Sequence, residues 1–294
     1  MINGVQIRYE VEGSGPVVAF TPGGFWPLEE GRPFAEALRA LGFRVVLYDR
    51  PNCGASGFLF DGSESIYHVF ADCLHGLLDD LGLLPCCIAG ASAGAVTALS
   101  FAHRHPGAAT ALALFSPPTD DAAAWQGIAR ATFLQPARLA EMCGMPAVAE
   151  ISLGLFDFPT GVAMNPDNRP ALLAMNPSEF ASVLRRWGRS CGSGREHVAG
   201  LSDQEISGLG LPTLVLAGPD PRTGLHPRHT AERLHQLIRG SRLVIPYEAL
   251  PAEEAQKVRA RVEEGGGRWY DAALAPFVKG FLLGPEGRKA GPAA

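Results

Sequence analysis

The pentapeptide Gly90-Ala91-Ser92-Ala93-Gly94 decides the fold of this chain. A short apolar run, residues 86–89, precedes it, and a run of small and apolar residues, 95–102, follows it. The first run is typical of a buried strand and the second of a helix. Strand, G-x-S-x-G and helix in this order predict a nucleophile elbow, a sharp turn from which a serine hydroxyl projects alone. The alternative is a small-residue turn at which a helix packs against a strand.

Two features of the motif suit a reactive serine. Gly90 and Gly94 lie two residues to either side of Ser92 and allow neighbouring backbone to approach without a Cβ clash. The helix that follows would direct its positive dipole end at the serine, which favours an oxyanion there.

Length and composition exclude several classes of protein. A chain of 294 residues can form one large α/β domain with an insertion, or two domains. The net charge of -5 gives no electrostatic reason to expect nucleic acid or an anionic membrane as a partner. Neither a signal peptide in the first ten residues nor an apolar run of membrane-spanning length is seen, and the six cysteines lack paired metal-ligand spacing. We therefore expect a cytoplasmic protein without cofactor or metal that acts on a small molecule, and a homodimer is compatible with these features.

Strand and helix patterns alternate along the chain. Such alternation implies parallel pairing and a doubly wound α/β sheet. The predicted strands are 5–11, 17–20, 43–48, 86–89, 111–115, 211–218 and 243–245, and the predicted helices are 33–41, 65–81, 95–102, 229–238 and 270–283.

The rhythm changes after Ser116-Pro117-Pro118, where helical patterns continue without a convincing strand. Residues 121–205 are predicted to be a helical insertion in a core formed by 1–120 and 206–284, with a flexible tail at 285–294. The aromatic residues and methionines of the insertion should mostly pack its own interior. A few of them, with Trp187 the candidate, should face Ser92 and form an apolar pocket.

Four segments in order resemble the α/β-hydrolase-fold superfamily with a helical cap. They are residues 20–24, 48–56, 90–94 and 211–227. The resemblance implies a mostly parallel sheet, a cap made by the insertion, and a serine-type hydrolase of a small ester, lactone or carbon–carbon bond. Ser92 would then be the nucleophile and the Ala93 N–H the first oxyanion donor.

The remaining oxyanion donor and the acid depart from the family pattern. The loop after residue 20 carries Thr21-Pro22, and since proline has no N–H, the second donor should be Gly23 or Gly24. Asp220 is the expected acid, although it stands two residues after Gly218, where three is common. Its alternative is a turn residue in a Pro-Asp-Pro loop.

The catalytic histidine is the main departure from the family pattern, because no histidine follows His235 in this chain. The family slot after the last strand holds Pro246-Tyr247-Glu248 instead. Three interpretations stay open. His226, taken as the catalytic candidate, or His229 could reach Ser92; Tyr247 or Glu248 could perform other proton chemistry; or the chain could be a non-hydrolytic lyase, cyclase or isomerase, or a ligand-binding protein.

We expect an ion pair between the two residues that begin the loop at 49–57. Asp49 and Arg50 are adjacent and oppositely charged, and we expect them to pair and so to fix this loop beside the pocket. Substrate binding by Arg50 is the alternative.

Overall fold

A seven-stranded, mostly parallel sheet forms the centre of the molecule. The structure, a computed structural model, describes residues 1–153, 157–192, 200–218, 225–263 and 272–284. The strand order is β1-β3-β2-β4-β5-β6-β7, and β1 alone pairs in antiparallel fashion within the described sheet. The strands are β1 (Tyr9–Gly13), β2 (Val17–Thr21), β3 (Arg44–Tyr48), β4 (Cys86–Ala91), β5 (Ala109–Phe115), β6 (Thr213–Leu216) and β7 (Arg242–Val244).

Helices follow most of the strands and cover both faces of the sheet. Those of the core are α1 (Arg32–Ala40), α2 (Ile66–Asp80), α3 (Ala93–Arg104), α9 (Asp203–Ser207), α10 (Arg228–Leu237), α11 (Pro246–Ala249), α12 (Ala252–Glu263) and α13 (Ala275–Leu283). Those between β5 and α9 are α4 (Ala122–Ala129), α5 (Gln135–Glu150), α6 (Phe158–Met164), α7 (Asn168–Leu173) and α8 (Pro177–Gly192), with a π-helical turn at Arg130–Leu134.

The apolar residues divide into two cores, one on each face of the sheet. The larger core includes Phe70 of α2 and Phe101 of α3, and the smaller one includes Phe34 of α1 and Val278 of α13. Every residue of β4 is buried, as expected for a parallel strand with helices on both faces. The predicted fold class, a doubly wound α/β sheet with a helical insertion, is therefore confirmed.

The secondary structure departs from the sequence pattern most clearly at the first strand and after the last one. The first strand was predicted at 5–11, but β1 begins at Tyr9 because the backbone of Gln6 and Arg8 bonds to the loop that follows β3. Residues 246–263 form α11 and α12, which the alternation of patterns does not predict. No helix in the described ranges has both the length and the apolar character that a bilayer crossing requires.

The helical insertion lies against the loops that follow β2 and β3. Asn168 of α7 accepts a hydrogen bond from Phe58 N at 3.1 Å and donates one to Ser56 O at 3.0 Å. The ring of Phe133, in the π-helical turn, packs edge-to-face on Phe25 with centroids 6.5 Å apart. These loops leave the carboxyl ends of parallel strands, which is the edge where open α/β sheets bind ligands.

Candidate active site

Ser92 sits in a strained turn between β4 and α3. Its φ of 51° and ψ of -116° are unusual for a residue with a side chain. Between residues 86 and 102 only Ser92 and Ala93 are partly exposed, and the rest of that stretch is buried. The turn therefore presents the serine hydroxyl out of an otherwise closed strand–helix unit, as a nucleophile elbow does.

The two glycines of the pentapeptide are required by close backbone contacts. A Cβ atom on Gly90 would lie 2.1 Å from Gly94 O, and one on Gly94 would lie 2.2 Å from Thr21 O. Both distances are far inside van der Waals contact, and the opposing atoms belong to the backbone and cannot rotate away. The spacing G-x-S-x-G thus reflects the tight approach of β2, β4 and α3 around Ser92.

Gly90→Ala is expected to lower the free energy of unfolding by about 2–4 kcal/mol, because the strand–helix unit must open to admit the methyl group. Gly127→Ala is the matched control. Gly127 is an exposed residue of α4 with nothing within 4 Å of an added Cβ, so alanine should stabilise the chain there by about 0.5–1 kcal/mol. Urea unfolding of both variants measures the difference, and equal effects would contradict the steric argument.

The loop after β2 brings a second set of backbone amides to the serine. A Cβ on Gly23 would lie 3.3 Å from the Ser92 Cβ, so this glycine packs directly against the serine. Gly24 follows with a positive φ of 49°. On the other side of Ser92, Ala93 is the first residue of α3, and its N–H is among the four that have no acceptor within a helix. The predicted oxyanion residues Gly23, Gly24 and Ala93 thus lie in two backbone segments that meet at Ser92.

His226 is the imidazole that reaches the serine. Its Nε2 lies 2.8 Å from Ser92 Oγ, although the two residues are 134 positions apart in the chain. The side chain is buried, with 5% of the residue exposed. This burial lowers the pKa of His226 to about 4, since desolvation disfavours the imidazolium. At neutral pH the ring is therefore neutral, and in the tautomer that is protonated at Nδ1 its Nε2 can accept a hydrogen bond from the hydroxyl.

Two contacts hold the backbone of His226 beside the sheet. Thr119 N, in the loop after β5, donates a hydrogen bond of 2.7 Å to Leu225 O. Gly218, which follows β6, lies so close that an added Cβ would be 2.7 Å from His226 O. The ends of β5 and β6 thus fix the segment from which the imidazole extends to Ser92.

His229, the other histidine of this segment, faces away from the serine. Its side chain is 64% exposed, and its Nε2 lies 3.0 Å from an Asp120 carboxylate oxygen. Because the two histidines have different partners, their H-x-x-H spacing does not form a metal site, and the described residues contain no cluster of three or more His, Cys, Asp or Glu that could hold a metal ion. Of the two sequence candidates, only His226 is in reach of Ser92.

The other predicted site residues have different surroundings. The ring of Trp187 is fully buried, stacks on Phe60 and donates its N–H to Ser63 O at 3.0 Å. Trp187 is thus a core residue of the insertion, and its assignment to the pocket was wrong. Glu248 is 64% exposed and accepts a hydrogen bond from Arg228 at 2.7 Å, while Tyr247 is half-buried in the same short helix. Neither side chain forms a hydrogen bond with Ser92 in the part of the chain that the structure describes. Asp220 lies outside the described residues.

The expected pair between Asp49 and Arg50 is also wrong. The Asp49 carboxylate accepts hydrogen bonds from Leu28 N at 2.6 Å and Ala55 N at 2.8 Å, and its ion pair is with Arg8 at 3.4 Å. Arg50 instead donates to the carbonyl oxygens of Gly23 and Gly24. Adjacent residues at the end of a strand point to opposite sides, which separates these two charges.

A family model described as the alpha/beta hydrolase fold matches residues 16–141. An uncharacterised hydrolase of Bacillus subtilis, YraK, is 31% identical over 105 residues, which are 36% of this chain and 38% of that protein. The non-heme chloroperoxidase CPO-A1 of Kitasatospora aureofaciens is 34% identical over 106 residues, or 35% of this chain and 37% of its own length. The matches therefore span less than two fifths of these curated relatives.

Solved structures resemble the chain over most of its length. One is a thermophilic esterase from Thermogutta terrifontis, with a TM-score of 0.55 and 20% identity, and the similarity covers 88% of this chain and 94% of the esterase. At this level of identity the likeness concerns the fold.

Proposed function

We propose that this chain, which has the α/β-hydrolase fold, belongs to the α/β-hydrolase superfamily and is a serine hydrolase of a small ester or lactone. One observation carries the proposal: the 2.8 Å contact between Ser92 Oγ and His226 Nε2 at the turn between β4 and α3. A serine hydroxyl is a weak nucleophile unless a base takes its proton, and a neutral imidazole within hydrogen-bond distance is such a base. The esterase among the structural neighbours is consistent with this chemistry.

The proposed reaction has two halves. In the first, His226 Nε2 accepts the Ser92 proton while Oγ attacks the carbonyl carbon, and the imidazolium then protonates the leaving alkoxide as the C–O bond breaks. The N–H of Ala93 and an N–H of the Gly23–Gly24 segment would bind the oxyanion of the tetrahedral intermediate. In the second half, water attacks the acyl-enzyme with His226 again as base, which releases the acid and restores Ser92.

Two further elements of the proposal come from the sequence. Asp220 would orient the imidazole through its other ring nitrogen and stabilise the imidazolium, as the acid of a triad does. The helical insertion at 121–205 would act as the cap over the pocket, in keeping with its contacts to the loops after β2 and β3.

A non-hydrolytic role on the same fold has less support. The reason to consider a lyase, a cyclase or a binding protein was the absence of a histidine after the last strand. The contact of His226 with Ser92 supports a base from a different loop, and no observation in the described residues favours the other classes.

A labelling experiment and a substrate panel test the proposal together. The protein should hydrolyse short 4-nitrophenyl esters or simple lactones, and a fluorophosphonate probe should attach to Ser92 in a 1:1 ratio, as read by mass spectrometry of the peptides. Absence of both turnover and labelling would overturn the proposed function.

The pH dependence of kcat/KM is expected to extend well into the acid range. His226 acts as a base only when neutral, and burial lowers its pKa to about 4. Its neutral form therefore persists as the pH falls below the ordinary value of about 6.5, and activity should decline only as the pH approaches 4. Initial rates between pH 4 and 8, with each sample returned to pH 7.5 to verify reversibility, measure this. A reversible midpoint near or above 6.5 would contradict the burial argument.

A further inference from the structure

Arg50 is a buried cation beneath the loop that packs against Ser92. The residue is 1% exposed. Its Nη2 donates hydrogen bonds to Gly23 O at 3.2 Å and to Gly24 O at 2.5 Å, and its guanidinium carbon lies 5.0 Å from the centre of the Phe70 ring. The guanidinium thus binds both glycine carbonyl oxygens and packs over the Phe70 ring.

This cation has no counter-ion in the described part of the chain. The carboxylate of its neighbour Asp49 pairs with Arg8 and accepts hydrogen bonds from Leu28 N and Ala55 N. The Nε and Nη1 atoms are buried and have no hydrogen-bond acceptor among the described residues. A buried charge without a counter-ion is costly to the folded state, and in a site of low dielectric it attracts any negative charge that forms nearby.

Three titratable side chains that face the guanidinium are neutral. Tyr48, Cys53 and Tyr67 interact electrostatically with Arg50, and burial raises the pKa of each of these three side chains, so they carry no negative charge at neutral pH. These three groups therefore supply no negative charge to offset that of Arg50 before the reaction.

We propose that Arg50 is a positioning residue that holds the Gly23–Gly24 segment and polarises the peptide units that end in the Gly24 and Phe25 N–H groups, and that its unbalanced charge stabilises the oxyanion of the tetrahedral intermediate formed at Ser92. The inference rests on the proposed function and adds a residue to it. A donor on a carbonyl oxygen draws electron density from the whole peptide unit. Contact with Gly23 O therefore strengthens the N–H of Gly24, and contact with Gly24 O strengthens that of Phe25.

Because Gly23 packs against Ser92, the polarised peptide units lie next to the reacting atoms. An added Cβ on Gly23 would lie 3.3 Å from Ser92 Cβ, while Gly23 O accepts from Arg50. One peptide segment thus lies between the cation and the serine. The negative charge appears only when the tetrahedral intermediate forms, so the benefit falls on the transition state and not on substrate binding.

The test compares Arg50→Met and Arg50→Lys with Arg8→Met, using a 4-nitrophenyl ester that the wild-type protein hydrolyses. Arg8 is the matched control because it pairs with Asp49 in the same region but does not contact Gly23 or Gly24. For Arg50→Met we expect kcat to fall about 100-fold with KM changed less than about threefold, and Arg50→Lys to recover roughly tenfold of the loss. Arg8→Met should keep kcat within about threefold of the wild type.

A transition-state analogue separates this role from a structural one. A trifluoromethyl ketone adds to the serine hydroxyl and leaves an oxyanion, so its inhibition constant should rise in proportion to the loss of kcat in both Arg50 variants. An unchanged inhibition constant, or a kcat for Arg50→Met equal to that of Arg8→Met, would overturn the inference while leaving the hydrolase proposal intact. A wild-type protein that neither hydrolyses esters nor reacts with fluorophosphonate would overturn both.

If Arg50→Met does not fold, Arg50→Gln against Arg50→Lys makes the same comparison. Both side chains can donate to the glycine carbonyls, and only lysine carries a charge. A greater kcat for the lysine variant, with matching circular dichroism spectra, supports the electrostatic role, and equal kcat values overturn it.

Discussion

Ser92→Ala will reduce hydrolytic turnover by a factor of about 10⁴ or more and will abolish fluorophosphonate labelling. The acyl group has no other attachment point in the proposed reaction, because Ser92 is the hydroxyl presented by the strained turn and in contact with His226. The substitution removes one oxygen from a partly exposed residue, and the fold should be retained. Turnover is measured with the best ester of the panel and labelling by intact-mass spectrometry.

Ser100→Ala is the control for this prediction. Ser100 lies on α3, the same helix that begins at Ala93, and it is fully buried. Its loss should leave turnover within about threefold of the wild type, since it does not contact the reacting atoms. Full activity of Ser92→Ala would show that the serine is at most a binding group and that the chemistry takes place elsewhere.

His226→Gln will lower kcat by a factor of about 10³–10⁴, because the serine hydroxyl loses the base that takes its proton. Glutamine keeps a polar side chain in the buried space but cannot accept and return a proton at neutral pH. The rate of fluorophosphonate labelling should fall in parallel, since the same activation is needed for that reaction.

His229→Gln is the control for this prediction. This histidine lies three residues further along the chain and pairs with Asp120 at the surface. We expect its replacement to change kcat less than about twofold, as an exposed surface contact contributes little. Equal losses in the His226 and His229 variants would contradict the assignment of the base, and rapid labelling of Ser92 in His226→Gln would show that another group activates the serine.

The local sequence was sufficient to predict the sheet and the turn. Fully apolar runs such as residues 86–89 indicate parallel strands buried on both faces, and such strands need helical crossovers. The position of Ser92 followed from the same stretch, because the spacing of Gly90 and Gly94 reflects contacts within the turn and with the adjacent Thr21. These features depend on short-range backbone geometry, which a few neighbouring residues specify.

The partners of the serine were less predictable. His226 and His229 have the same residue type and lie three positions apart, and their order in the chain does not show which one turns inward. The loop contacts of Leu225 and Gly218 with the ends of β5 and β6 decide this. A histidine followed by proline at the base of a helix is the available signal, and it is more typical of a loop anchor.

The errors have a common physical origin. Asp49 and Arg50 were expected to pair because opposite charges adjoin in the sequence. The extended backbone instead directs the Asp49 carboxylate to Leu28 N and the Arg50 guanidinium to Gly24 O. Trp187 was expected at the pocket because large aromatic residues often line one, but it packs on Phe60 inside the insertion. In both cases long-range packing overrides what adjacency and residue type suggest.

The sequence by itself determined the α/β sheet, the helical insertion and the serine turn, since strand burial, helix periodicity and glycine spacing are encoded locally. Only the tertiary structure decided that His226 meets Ser92 and that Arg50 holds the adjacent glycine loop. The first contact joins residues 134 positions apart and the second spans 27. Such contacts arise from the order of strands in the sheet and the paths of the loops between them, and no local sequence pattern specifies them.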